Sequence, residues 1–321
     1  MLLTLPGAPA PVATVPAPVA STPVATAPTH ASPARAALAA LRRVPVLAVV
    51  RVAVGAQLAV HYARLLPWAT ALYSDRGMLA DPTHNPFVVD VSPMYHLDAP
   101  WMIQATVLGL LALSVAFAAG FWTRTVGVLL ALGAAALWQR NMLTLNPSLP
   151  YLGFFLLAQA FARPTPPWSV DRWRARRAGT GGAFGFAERL PRDVLGTLWV
   201  VYTVGYSYSG YTKLISPSWA DGSAVARMLR GPIALENPVV HALAALPDAL
   251  LHVATWGVLG VELLAAPLAL SRRLRPGLWL ALLGMHAGLL MLVGLQDISW
   301  GMLVTHLALF DPRWLGRRAP S

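Results

Sequence analysis

The sequence predicts an all-α, polytopic helical membrane protein with about eight transmembrane helices. Of its 321 residues, 56% are hydrophobic and only 12% are charged, whereas a soluble globular protein carries about 25% charged residues. So few charged side chains do not cover a water-facing surface. In addition, apolar runs close to the roughly 20 residues that a membrane-spanning helix needs recur along the whole chain. We therefore expect an integral membrane protein.

The apolar runs divide the chain into three parts. Residues 1–35 are mostly Ala, Pro, Val and Thr with little charge, so we expect a disordered tail rather than a cleaved signal peptide. Residues 36–315 form the predicted transmembrane domain, and 316–321 form a short basic tail. The predicted spans are 44–66, 100–121, 125–143, 149–163, 193–213, 249–270, 276–294 and 298–311. The fourth and eighth are short for a complete crossing.

Arginines predict the orientation, because cytoplasmic flanks of membrane helices are enriched in Lys and Arg. Seventeen of the 23 arginines lie before, between or after spans on one side, and two lie within the first span. Only Arg76, Arg140, Arg227 and Arg230 lie on the other side. This asymmetry predicts a protein of the cell inner (plasma) membrane with both termini cytoplasmic. Two long loops, 67–99 and 214–248, would then face outward and meet any secreted peptide or protein.

Composition and motifs exclude several classes of function. The formal charge of +11 comes from arginines between apolar runs, which is typical of membrane flanks rather than of a nucleic-acid groove. There is no cysteine, so thiol chemistry is absent. Zinc, phosphate-loop and nucleophile-elbow spacings are missing as well. We expect membrane lipid as a partner, but no metal and no nucleic acid. No inverted repeat indicates a transporter.

The single lysine, Lys213, ends the fifth span. Tyr202, Tyr206 and Ser209 precede it at spacings of 4, 3 and 4, which place all four residues on one helical face. Lysine differs from arginine because it can lose its proton in an apolar site and act as a base. The polar face therefore predicts the wall of a pocket near the outer end of the span. The alternative is a lysine that reaches the headgroups below a tyrosine belt.

Two further ionisable residues fall within predicted spans. Glu262 lies in the sixth span and His286 in the middle of the seventh. Charged or titratable groups inside a membrane usually face a cavity or a partner. Glu262 and His286 would form a proton-transfer pair or a structural contact between helices. Alternatively, Glu262 would pair with Arg51 of the first span. His306 lies near the end of the eighth span and receives no role.

Several short motifs lie along the chain: Trp168-Ser169-Val170-Asp171 with Arg174, Arg176 and Arg177; Gly210-Tyr211-Thr212-Lys213-Leu214 with Trp219 and Gly222; Asp311-Pro312-Arg313-Trp314; Arg76-Gly77; and Arg140-Asn141. These motifs resemble the vitamin K-dependent gamma-glutamyl carboxylase and the wider bacterial family of horizontally transferred transmembrane (HTTM) domains. His286 also fits the pattern. The resemblance covers roughly residues 40–315.

The resemblance implies a site for a reduced quinone like vitamin K hydroquinone, with Lys213 as the base. His286 and Glu262 would complete the catalytic group, and Tyr202, Tyr206, Ser209, Tyr211 and Trp219 would contact the quinol. Carboxylase-like lyase or oxidoreductase chemistry would follow at an outward-facing pocket: quinol-linked oxidation or epoxidation, or carboxylation. In the carboxylase this chemistry takes place on the lumenal side. That side corresponds to the outer face predicted here.

The chain also departs from the carboxylase. The run Asn146-Pro147-Ser148-Leu149-Pro150 lacks the histidine found there, and the chain stops at Ser321. These departures favour the quinol half-reaction or a different peptide modification over carboxylation of a propeptide-bearing substrate. The alternative function is a non-redox maturation factor for a secreted peptide, like the HTTM protein that matures a bacterial sporulation-delaying toxin.

Overall fold

A computed structural model describes residues 45–78, 93–144, 146–162, 167–180, 190–311 and 313–314. The described chain is helical throughout, and its only strand-like pairing is an isolated antiparallel bridge between Ala234 and Val293. The predicted tails 1–35 and 316–321 lie outside the described residues. The α-helices are α1 Val46–Leu65, α2 Ala69–Tyr73, α3 Pro100–Ala119, α4 Thr123–Arg140, α5 Ser148–Gln159, α6 Val170–Arg177, α7 Arg192–Leu214, α8 Pro217–Ala220, α9 Ala224–Arg230, α10 Pro238–Ala244, α11 Asp248–Leu263, α12 Ala265–Leu270, α13 Arg275–Leu292 and α14 Gln296–Leu309.

The eight apolar segments all contain helices, so the predicted all-α class is confirmed. Within the described ranges, three helical stretches are long and apolar enough to cross a membrane: Val46–Tyr73, Pro100–Ala119 and Arg275–Leu292. The pair α10 and α11 provides a fourth if it counts as one span, although its two helices meet at 106°. These apolar helices are consistent with a membrane protein.

Local sequence explains where the helices begin and end. Proline occupies the first turn of α3, where its missing N–H costs no hydrogen bond. The same helix ends at Gly120, whose φ of 71° is the left-handed conformation that glycine adopts without strain. Asn146 stabilises the turn that leads into α5, because its Oδ1 accepts from the Ser148 N–H at 3.0 Å and from the Ser148 hydroxyl at 2.7 Å. The run that lacks the carboxylase histidine is therefore a helix start.

Helix α14 occupies the centre of the bundle. It packs against α1, α5, α7 and α13, and its fully buried residues include Ser299, Thr305 and His306. An element surrounded by other helices has no lipid-facing stripe to extend, which explains why this segment is short. Elsewhere small residues allow close approach: a Cβ at Gly55 would lie 2.7 Å from the backbone nitrogen of Ala118, so α1 and α3 are nearly in backbone contact.

The predicted sixth span is interrupted, because Leu264 separates α11 from α12. Pro267 lies four residues after Leu263, and its ring leaves no room for a regular hydrogen bond to that carbonyl. Before the interruption, α11 extends past the end of α7 and joins α8, α9 and α10 in a cap of residues 217–258. Ala226, Leu229, Val240 and Leu251 form a separate small core inside this cap.

Candidate functional site: a lysine–glutamate pair beside a tyrosine–histidine cluster

The polar residues of α7 lie on one face, as their spacing predicts. Tyr202 and Tyr206 are buried, and Ser209 and Lys213 follow towards the end of the helix. The opposite face consists of exposed residues, among them Val200 and Val204. An apolar outer face and a polar inner face are the arrangement expected of a helix between lipid and a polar interior.

Lys213 forms an ion pair with Glu262. Its Nζ donates to both carboxylate oxygens, and the Ser209 hydroxyl donates to Oε2 of Glu262 at 3.3 Å. The Glu262 side chain is 5% exposed and that of Lys213 is 24% exposed. The lysine is therefore held inside the protein rather than extended to headgroups. Neither of the partners suggested for Glu262 by the sequence, His286 and Arg51, contacts it.

Trp219 covers the lysine from the cap. The Lys213 Nζ lies 4.7 Å from the centre of the Trp219 ring, within the range of a cation–π interaction. Helix α8 carries this ring. The Trp256 indole N–H, from α11, donates to the Ala220 carbonyl at 3.3 Å and helps to fix α8. The cap thus places an aromatic face over the ammonium group.

The carboxylate is positioned by the interruption between α11 and α12. The Ser207 hydroxyl donates to the Leu263 carbonyl at 3.0 Å, lies 3.3 Å from the Glu262 carbonyl oxygen and accepts from the Ala266 N–H at 3.0 Å. It therefore supplies partners for backbone groups that the break releases. Gly210 permits the close approach, since a Cβ there would lie 2.7 Å from the Leu263 nitrogen.

About two helical turns before Lys213 on α7, Tyr206 joins two histidines. Its hydroxyl lies 2.7 Å from Nε2 of His286 and 3.2 Å from Nε2 of His306. The residues come from α7, α13 and α14, and all three are at least 95% buried: Tyr206 is 5% exposed, His286 5% and His306 0%. The sequence predicted the contributions of Tyr206 and His286. It gave no role to His306, which lies in the buried interior of α14.

The hydrogen bonds of this cluster determine which ring nitrogen of each histidine carries a proton. Nδ1 of His306 lies 2.6 Å from the Met302 carbonyl, which only accepts, so this nitrogen carries the proton. With both rings neutral, Nε2 of His306 accepts from the Tyr206 hydroxyl. The Tyr206 oxygen then accepts from Nε2–H of His286. Nδ1 of His286 is left as an unprotonated acceptor, and it is buried without a hydrogen-bond partner among the described residues.

Tyr151 of α5 completes the aromatic wall. Its ring stacks on Tyr206 with centroids 6.4 Å apart and packs against Tyr202 at 5.0 Å. The Tyr202 hydroxyl donates to the Tyr151 carbonyl at 2.9 Å, so this tyrosine fixes two helices instead of facing a ligand. The structure does not bring Tyr211 into the site. It is 61% exposed on the outer side of α7, two residues and therefore about 200° from Ser209.

Two other motifs connect neighbouring helices at the two ends of the bundle. Arg51, fully buried, donates to the carbonyls of Phe117, Ala118 and Trp168. It therefore joins α1 to the end of α3 and to the segment before α6. At the opposite end of the bundle, the Asn141 side-chain amide donates to the Leu72 carbonyl at 2.7 Å.

The neighbouring Arg140 is buried, with its guanidinium carbon 5.0 Å from the centre of the Tyr95 ring. These arginines stabilise packing between helices and lie outside the Lys213 site.

The candidate site is defined by its contacts. Two cavities lie elsewhere in the described structure, one of about 580 Å³ beside Trp101 and one of about 260 Å³ between α4 and α5. Neither is lined by Lys213, Glu262 or His286. Among the described residues, no group of three His, Cys, Asp or Glu side chains is arranged to hold a metal ion.

Comparisons of the chain with protein-family models, with curated proteins and with solved structures give no match.

Proposed function

We propose that this chain is a membrane enzyme of the HTTM type, in which Lys213 and Glu262 exchange a proton with a quinol-like substrate. The observation that carries the proposal is the combination of a largely buried Lys213–Glu262 pair with an Nδ1 of His286 that has no hydrogen-bond partner among the described residues. Glu262 accepts both hydrogen bonds from the Lys213 ammonium. It is therefore the group placed to take the proton that Lys213 must lose to act as a base.

The residues present fit a reduced quinone. The Trp219 ring lies over the Lys213 ammonium group, and Nδ1 of His286 is an acceptor for a hydroxyl group. A bound quinol would supply a hydroxyl proton and two electrons. Tyr206 and His306 hold His286 in the tautomer that accepts. The chain's own contribution is thus to orient the hydroxyl and to receive its proton at Lys213.

We further propose eight membrane crossings, with both termini on the cytoplasmic side of the plasma membrane. Charge at the two ends of the bundle supports this topology. Among the described residues, the end where α3 stops and α4 starts carries eleven arginines against three carboxylates. The end that carries Lys213 has six basic and seven acidic side chains. The first end, named here the basic end, therefore fits the cytoplasm.

Quinol-dependent oxygen uptake by the purified chain in lipid nanodiscs tests the proposed activity. With a reduced naphthoquinone as probe, we expect Lys213→Arg to lower the rate at least 100-fold, since general base catalysis contributes roughly 10² to 10⁴. Arginine preserves the charge and the contact with Glu262 but does not release a proton. Arg227→Lys, an exposed change at the same end, is the matched control and should keep the parental rate.

An active Lys213→Arg variant would refute the base assignment. Thermal unfolding of both variants shows whether the fold survives, so that loss of structure is not mistaken for loss of chemistry.

A second candidate is maturation of a secreted peptide without redox chemistry. The cap of residues 217–258 favours it, because this cap has its own small core and covers the ion pair from the side predicted to face outward. Crosslinking of a secreted peptide to the cap, together with no oxygen uptake by the parent chain, would favour this function over the first.

A further inference from the structure

Helix α6 is attached to the bundle mainly at its start. None of its eight residues is buried. Its start is fixed because the Asp171 carboxylate accepts from the backbone N–H groups of Trp122 and Thr123 at 2.9 and 3.0 Å. Ser169 caps the helix by accepting from the Arg172 N–H at 3.1 Å. In the rest of α6, the Arg174 guanidinium lies 4.6 Å from the centre of the Phe121 ring, while Trp173, Arg176 and Arg177 are exposed at the basic end.

The exposed residues of α6 combine cationic and aromatic groups. Arg174, Arg176 and Arg177 are all exposed. The guanidinium of Arg177 lies 4.1 Å from the centre of the Trp173 ring. Asp171, the one acidic residue of α6, is engaged with the start of α4 and leaves these three charges uncompensated within the helix.

Three tryptophans lie at or beside this helix. Trp122, Trp168 and Trp173 are 61%, 65% and 53% exposed. Trp122 and Trp168 have φ values of 45° and 57°, a conformation that is uncommon for residues other than glycine and costs free energy. Their backbone is held in this conformation by the Asp171 contact and by Arg51, which donates to the Trp168 carbonyl at 2.8 Å. The start of α6 and the residues beside it therefore expose large amphipathic rings.

We propose that α6 and these tryptophans form a binding site for the headgroups of anionic phospholipids. Arginine binds phosphate oxygens through parallel N–H donors, and indole rings favour the boundary between headgroups and acyl chains. A helix with both groups, attached mainly at its start beside the ends of apolar helices, lies where that boundary would be. The inference depends on insertion into a bilayer and is independent of the chemistry at Lys213.

The aromatic groups distinguish a lipid surface from a soluble polyanion. A polyphosphate in water would need the arginines alone, whereas a headgroup at a bilayer surface also needs the rings beside them. The excess of positive charge at the basic end attracts either ligand. The test therefore changes the arginines and a tryptophan separately.

Native mass spectrometry of the full chain, in neutral detergent with phosphatidylcholine, measures binding of added phosphatidylglycerol. Basic residues near a membrane each contribute about five-fold, so we expect Arg174→Gln/Arg176→Gln/Arg177→Gln to weaken binding roughly 100-fold. Arg64→Gln/Arg76→Gln/Arg227→Gln removes the same charge at the opposite end and should have little effect. Trp173→Ala should weaken phosphatidylglycerol binding at least several-fold.

Equal losses in the two triple variants would overturn the proposal, because net charge alone would then explain binding. Displacement of phosphatidylglycerol by soluble polyphosphate, with no effect of Trp173→Ala, would also overturn it and indicate a polyanion site. Unchanged unfolding temperatures of the variants confirm that α6 was altered without loss of the bundle.

Discussion

Tyr206 is the residue on which the arrangement of protons in the site depends. Its hydroxyl has one proton and contacts Nε2 of two histidines, so it must donate to one ring and accept from the other. The Met302 carbonyl decides the direction, because it fixes the proton of His306 on Nδ1. His286 is therefore protonated on Nε2, and its Nδ1 is the unprotonated ring nitrogen.

Nitrogen-15 NMR of histidine-labelled protein tests this assignment. We expect His286 to be protonated on Nε2 and His306 on Nδ1, two opposite tautomers in one cluster. Tyr206→Phe removes the bridge and should lower the free energy of unfolding by about 1–3 kcal/mol, because buried ring nitrogens lose a partner. Tyr208→Phe, a change on the exposed face of α7, is the control. The same tautomer for both rings would contradict the hydrogen-bond assignment.

Residue spacing predicted one wall of the site but not its partners. The 4, 3, 4 spacing placed Lys213 and Tyr206 on one face of α7, because helix geometry alone determines it. The partner of Glu262 depends on how α7 and α11 align along their lengths. A single sequence does not give this alignment. His306 was overlooked for a related reason: proximity to a segment end indicates exposure only when the helix is at the surface, and α14 is enclosed.

The interruption between α11 and α12 is the element that brings Glu262 to Lys213. Pro267 in an apolar run is a visible signal for such a break, yet the sequence predicted one continuous segment, 249–270. Ser207, on a different helix, supplies the compensating hydrogen bonds. Its role was not predictable, because a serine within a span usually bonds to its own helix.

We expect Ser207→Ala to destabilise the chain by about 2 kcal/mol, because it leaves buried backbone groups at the break without partners. Thr197→Ala is the matched control on the same helix, since the Thr197 hydroxyl bonds only to the Asp193 carbonyl of its own helix at 3.0 Å and is exposed. Chemical unfolding in detergent measures both. The interruption would be independent of Ser207 if the two variants lost the same small amount of stability.

At the scale of the whole molecule, the two ends of the bundle carry different net charge, and the segment between them is apolar. The composition predicted a membrane protein, and the apolar helices agree with it. The number of crossings is harder to predict, because α5 has 12 residues and α14 has 14, fewer than the roughly 20 that span a bilayer. Short helices inside a bundle can be completed by neighbouring loops or accommodated by local thinning of the bilayer, so length alone does not decide the topology.

The absence of cysteine from the sequence makes the orientation directly measurable. Single changes Ala178→Cys, just after α6, and Ala242→Cys, in α10, introduce exposed thiols at the two ends of the bundle. In intact cells, a maleimide that does not cross membranes should label Ala242→Cys, while Ala178→Cys should react only after permeabilisation. This result is expected because the arginine-rich end remains in the cytoplasm during insertion. The reverse pattern would place Lys213 on the cytoplasmic side and would remove the argument for an outward-facing site.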